Sequence, residues 1–99
     1  MKVTFTDHAK SNLRSIFKHY KDVASVRLAK SIKTKIIAST KDLANFVNKF
    51  QEEEYLKIMN VGHRRYISGN YKIIYKLEKQ QIIITDIFDT RQDPNKIEG

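Results

Sequence analysis

After a short alternating start, the hydrophobic repeat of this 99-residue chain runs at helical spacing to about residue 50 and at a period of two from Val61 onward. A chain that changes period in this way segregates its helices from its strands, the pattern of an α+β domain. Residues 2–5 (KVTF) alternate polar and apolar side chains and predict a short first strand. Thr6 or Asp7 is placed to cap a helix, since either side chain can accept from the free amides of the next turn. Ala9, Leu13, Ile16, Phe17 and Tyr20 then form one apolar stripe. Asp22 is the expected cap of a second helix, whose stripe comprises Leu28, Ala29, Ile32, Ile36, Leu43, Phe46, Val47 and Phe50. Arg27, Lys30, Thr34, Lys35, Lys41 and Lys49 fall on the opposite side of that helix, and Ser39 to Asp42 predicts a bend, because Ser and Thr compete for backbone hydrogen bonds.

The acidic run 51–54 reads as a solvated connection. Strands are expected over 61–67, 71–77 and 81–88, joined by turns at Ser68-Gly69-Asn70 and Glu78-Lys79-Gln80. Tyr71, Ile73, Tyr75 and Leu77 share one face, and Lys72, Ile74 and Lys76 the other. Alternation groups Ile82, Ile84 and Phe88 on one face of the last strand and Ile83 and Ile87 on the other, which implies a central strand. The expected fold is α+β in the order β-α-α-β-β-β, with two helices on one face of a small antiparallel sheet and residues 1–99 forming one domain.

Composition narrows the function classes. There is no Cys, which excludes a disulfide scaffold, a thiolate zinc site and a cysteine nucleophile and suits a reducing compartment. No aliphatic run approaches the ~20 residues of a membrane span, and the first residues lack an apolar signal region, so a cytoplasmic location is expected. His8 and His19 have no partner at metal-ligand spacing, and there is no glycine-rich phosphate loop, so neither a metal nor a cofactor is expected. The net charge of +8 resides in residues 1–50, while the remainder carries equal numbers of acids and bases. Such a basic half attracts a polyanion or an acidic partner in a salt-dependent way. Nine of its eleven cations are Lys, which suits an electrostatic surface better than bidentate reading of bases.

The block Arg65-Tyr66-Ile67-Ser68-Gly69-Asn70-Tyr71-Lys72-Ile73-Ile74-Tyr75, followed by Ile84-Thr85-Asp86-Ile87-Phe88-Asp89-Thr90-Arg91-Gln92-Asp93-Pro94, resembles the RelE/ParE superfamily of bacterial type II toxins, also described as plasmid stabilisation proteins. Unlike many relatives, the chain has no Pro or Gly in the stretch after Leu43, which predicts a longer second helix. The resemblance implies a toxin neutralised by a cognate antitoxin in a hetero-oligomer, with Arg27, Lys30 and Lys41 on the basic helical face as antitoxin contacts. RelE-like members are ribosome-dependent messenger RNA endoribonucleases, and ParE-like members bind and block DNA gyrase.

By the matched block, a nuclease would use His63, Arg65, Lys72 and Arg91, and target or RNA binding would use Arg64, Arg65, Lys72 and Arg91. These are expected to form one cationic pocket on the open side of the sheet, with His63 as the group suited to proton transfer near neutrality. Arg91 has a structural alternative as the ion-pair partner of Asp86, Asp89 or Asp93. The tail 92–99 has neither the Tyr nor the His that such nucleases carry past this arginine, so the proton-transfer set is incomplete. The reading therefore favours a ParE-like toxin that binds gyrase, with the endoribonuclease as the alternative and a non-toxic basic RNA-binding module as a remote third.

Overall fold

The computed structural model describes residues 2–48 and 62–91. Its elements run β1 (Lys2–Phe5), α1 (Asp7–Val23), α2 (Val26–Asn48), β2 (Arg64–Ser68), β3 (Tyr71–Glu78) and β4 (Gln81–Asp89), so the order β-α-α-β-β-β stands. The sheet order is β1-β4-β3-β2. β2, β3 and β4 form an antiparallel meander, but β1 pairs with β4 in parallel, so the sheet is mixed instead of wholly antiparallel. Nothing local announces this. A strand of four residues carries the same alternation in either direction, and its orientation follows from the α1–α2 excursion that separates it from its partner.

Thr6 caps α1, its hydroxyl accepting from the Ala9 amide at 3.1 Å. The cap of α2 is Ser25 in place of Asp22: its hydroxyl accepts from Leu28 N at 3.0 Å. The helix is not interrupted at Ser39. Both Ser39 and Thr40 are buried, their hydroxyls lie within hydrogen-bond reach of the carbonyls of Lys35 (2.9 Å) and Ile37 (2.7 Å), and α2 continues to Asn48. Phe50, Lys49 and the acidic run lie outside the described residues, as does the tail 92–99.

The core lies between the helices and one sheet face. Ala9 and Ile16 of α1 and Ile32, Ile36, Leu43 and Val47 of α2 pack against Tyr71, Ile73, Tyr75 and Leu77 of β3 and Ile82, Ile84 and Ile87 of β4. Leu28 and Phe46, expected in the α2 stripe, remain 42% and 49% exposed. The register slips between Ile74 and Tyr75, leaving Thr85 as an extra residue on β4. That bulge reverses the alternation beyond it, so Ile87 joins Ile82 and Ile84 in the core and Phe88 moves to the outer face, the opposite of the period-two grouping.

β1 flanks β4 only as far as Ile84. Beyond that point α1 covers the strand. Thr6 N donates to Ile84 O (3.0 Å), the Asn12 side chain accepts from Ile87 N (3.2 Å), and His8 Nε2 lies 2.7 Å from Asp86. The exposed flank of β4 is thereby satisfied without another strand.

The β3–β4 hairpin turns through Lys79 (φ 50°) and Gln80 (φ 60°), two consecutive positive values of the kind a type I′ turn demands. Neither residue type favours this region. The double substitution Lys79→Asn, Gln80→Gly should therefore stabilise the domain by about 1–2 kcal/mol, since Asn-Gly is the preferred pair there. Thermal unfolding should show a midpoint higher by about 4–8 °C for each kcal/mol gained. An unchanged midpoint would mean the turn carries no strain.

Candidate functional site

Tyr71 opens β3 and stands directly opposite Asp89 at the end of β4, which puts both on the helix-covered face. α1 brings Tyr20 to the same place, and the chain turns back through Thr90 so that Arg91 reaches the group. The Asp89 side chain has no solvent exposure. It accepts from the Arg91 amide (3.0 Å), from Arg91 Nε (3.1 Å) and Nη2 (3.2 Å), and from the Tyr20 hydroxyl. Nη2 of Arg91 also donates to the Tyr71 hydroxyl at 3.0 Å. The guanidinium lies 5.5 Å from the Tyr20 ring centre and 5.6 Å from that of Tyr71, within cation–π range of both.

Burial by itself would raise the Asp89 carboxyl, but hydrogen bonds from Arg91 and Tyr20 outweigh it and hold the group below its ordinary range. Burial, reinforced by the bond to Asp89, pushes the Tyr20 hydroxyl up to about 12. The Tyr71 hydroxyl is also raised by burial, against the opposing charge of Arg91. Arg91 is held more firmly protonated by its bonds to Asp89. Of the acids expected as structural partners of Arg91, Asp89 binds it and Asp86 pairs with His8, while Asp93 lies outside the described residues. Tyr20, Tyr71 and Asp89 are the members of this cluster that sequence reasoning did not assign to a site. The Asp-x-Arg spacing was the available signal, and the helical stripe had placed Tyr20 in the core.

The expected cationic pocket does not assemble. Register puts Arg65 opposite Ile74 and Lys72 opposite Ile67 and Phe88, all on the sheet face away from the helices, whereas Arg91 lies against Tyr20 and Tyr71 on the helix side. Lys72 is fully buried instead of lining an open face. Arg64 and Arg65 are exposed on β2, an edge strand, and His63 is exposed but precedes the strand that was expected to hold it. Arg27, Lys30 and Lys41 are exposed along α2.

Two grooves flank α2. One, of about 630 Å³, lies between the helices over an apolar floor of Leu13 and Phe17 and is rimmed by Lys10, Arg14, Lys18, Lys21 and Lys33, with no acid among the described residues of its lining. Lys33 also sits 5.9 Å over the Phe17 ring. The other, of about 510 Å³, runs between α2 and the β2–β3 turn and ends at Tyr20, Tyr71 and Arg91. Among the described residues no helix is long and apolar enough to cross a membrane.

Two amphipathic helices on a four-stranded mixed sheet, with an arginine returning after the last strand, define a small α+β domain. The model of the family described as "ParE toxin of type II toxin-antitoxin system, parDE" matches residues 3–94, and the chain belongs to that family. Among solved structures, a chain of the chromosomal ParDE toxin–antitoxin system from P. aeruginosa superposes with a TM-score of 0.72 at 19% identity, covering 90% of this chain and 95% of the other. No curated protein matches by sequence.

Because the folded-state carboxyl of Asp89 sits below its ordinary 3.8, the unfolded chain binds the proton more readily. The stabilisation is complete above that value and is lost as pH falls through the lower folded one. Asp89→Asn should cost about 2 kcal/mol at neutral pH through weakened charge-assisted bonds. It should also flatten the stability profile below about pH 4. Urea titrations from pH 2 to pH 7 test this, and a variant with the parental acid limb would remove Asp89 from that role.

Proposed function

We propose that this chain arrests growth by binding DNA gyrase without cleaving nucleic acid, and that a cognate antitoxin neutralises it through the basic helical layer. Membership of the ParE toxin family supports the toxin assignment. The observation that favours binding over hydrolysis is the separation of the cations. Metal-free RNA cleavage needs cations and a proton-transfer group converging on one phosphate. Here Arg65 and Arg91 belong to opposite faces, Lys72 is buried, and the charge of Arg91 is offset by Asp89. Arg64, Arg65 and Arg91 keep solvent access and are the cations we assign to target contact, whereas Lys72 is buried.

Purified chain should inhibit gyrase supercoiling, and a translating extract should show no new messenger RNA ends. Untouched supercoiling at high excess, or fresh ends near ribosomal positions, would reverse the assignment.

For the antitoxin we assign Arg27, Lys30 and Lys41 together with the groove over Leu13 and Phe17. Five cations around an apolar floor complement an acidic amphipathic segment, which gains affinity from both terms. Arg14→Glu with Lys18→Glu should weaken antitoxin binding by about tenfold or more, equivalent to at least about 1.4 kcal/mol. The parent's affinity should fall as ionic strength rises. Calorimetry at two salt concentrations measures both effects, and a salt-independent affinity would refute the electrostatic part.

A further inference from the structure

The groove between α2 and the β2–β3 turn differs in chemistry from the one over Leu13 and Phe17. Its cations are offset: Arg91 is bonded to Asp89, and Lys35 shares the groove with Asp42. Its wall is apolar where Leu28, 42% exposed, adjoins Ile32. At the turn, Gly69 leaves open space, with nothing within 4 Å of where a Cβ would stand. The hydroxyls of Ser39 and Ser68 are already bonded to each other across the groove (2.9 Å). Arg91 supplies a directional group whose position is fixed by Asp89. Nε and Nη2 are occupied by Asp89 and Tyr71, and the Nη1 donors have no partner among the described residues.

We propose that this groove is the contact with the protein target, taking an extended, uncharged peptide segment whose apolar side chain seats against Leu28 and Ile32 and whose backbone carbonyl accepts from Arg91 Nη1. A second anion would share one guanidinium with the Asp89 carboxylate, an unfavourable pairing, whereas a neutral carbonyl completes the fork without adding charge. The volume, about 510 Å³, lies within the range of specific ligand sites. Stacking between two tyrosine rings and the buried carboxylate fixes the donor before the partner arrives, so little ordering cost remains to be met on binding. This inference rests on the reading that the chain acts by binding a protein, and it assigns Leu28, Ile32 and Arg91 to that contact.

Ala38 is exposed on α2 and lines the groove, so Ala38→Arg fills it from a position that tolerates a good helix former. Leu28→Lys removes the apolar wall from a similarly exposed site. Both variants should need at least tenfold higher expression to arrest growth, with a parental thermal midpoint and antitoxin affinity within twofold of the parent. Two variants as toxic as the parent would overturn the proposal. So would loss of toxicity accompanied by loss of DNA binding, which would make nucleic acid the occupant. If the parent arrests growth but leaves gyrase untouched, while Ala38→Arg still abolishes arrest, the gyrase assignment fails and the groove stands.

Discussion

Asp89 is a carboxylate with no solvent exposure, and it is tolerable only because four donors meet it: the Arg91 amide, two guanidinium nitrogens and the Tyr20 hydroxyl. A buried charge with fewer partners would be strongly destabilising. This requirement fixes more than one residue. It draws the C-terminal part of α1 onto the end of β4, and it turns the chain back after Thr90, whose amide and hydroxyl both bond Asn70 O and close the β2–β3 turn against the same corner. The helix layer and the far end of the sheet are thus joined at this corner by a buried polar cluster that adds to the apolar packing between the two layers.

Much of the architecture was legible because it depends on spacing. The core positions of α1, Ala9 and Ile16, and the alternation of Tyr71, Ile73, Tyr75 and Leu77 follow from periods of 3.6 and 2, which local sequence records directly. What stayed hidden depends on relations between distant segments. The single extra residue at Thr85 exchanges Ile87 with Phe88, yet no side chain near it signals a bulge, because the slip exists only relative to β3. The parallel alignment of β1 is likewise a property of the pair. The partial exposure of Leu28 and Phe46 is also set by how α2 sits on the sheet, which the helical period alone does not record.

Of the candidate site, Arg91 was legible in the sequence and the arrangement around it was not. Arg65, Lys72 and Arg91 could be picked out by resemblance, but which face each occupies is set by strand parity counted through a register that sequence does not print. The short stretch from Asp89 to Arg91 had two readings, functional cation or structural ion pair, and the geometry lets both hold at once. The Nε edge of the guanidinium is committed to Asp89 while about half of the side chain remains exposed.

α2 acts as a partition between two electrostatic environments. Lys33 belongs to the flank with five cations and no acid among the described residues, and Lys35, two residues on and so about 200° around the helix axis, belongs to the flank where charges are offset. A protein that must be silenced by one partner and act on another benefits from recognising them by different chemistry, because a shared determinant would couple the two affinities. Long-range attraction, which accelerates encounter, suits the partner that must capture the chain quickly. Short-range shape and a pre-set hydrogen-bond donor suit the partner that must be selected among many proteins, since a neutral groove gives little attraction until the fit is made. On this reasoning the uncompensated cations on one flank of α2 suit capture, and the offset charges on its other flank suit selection.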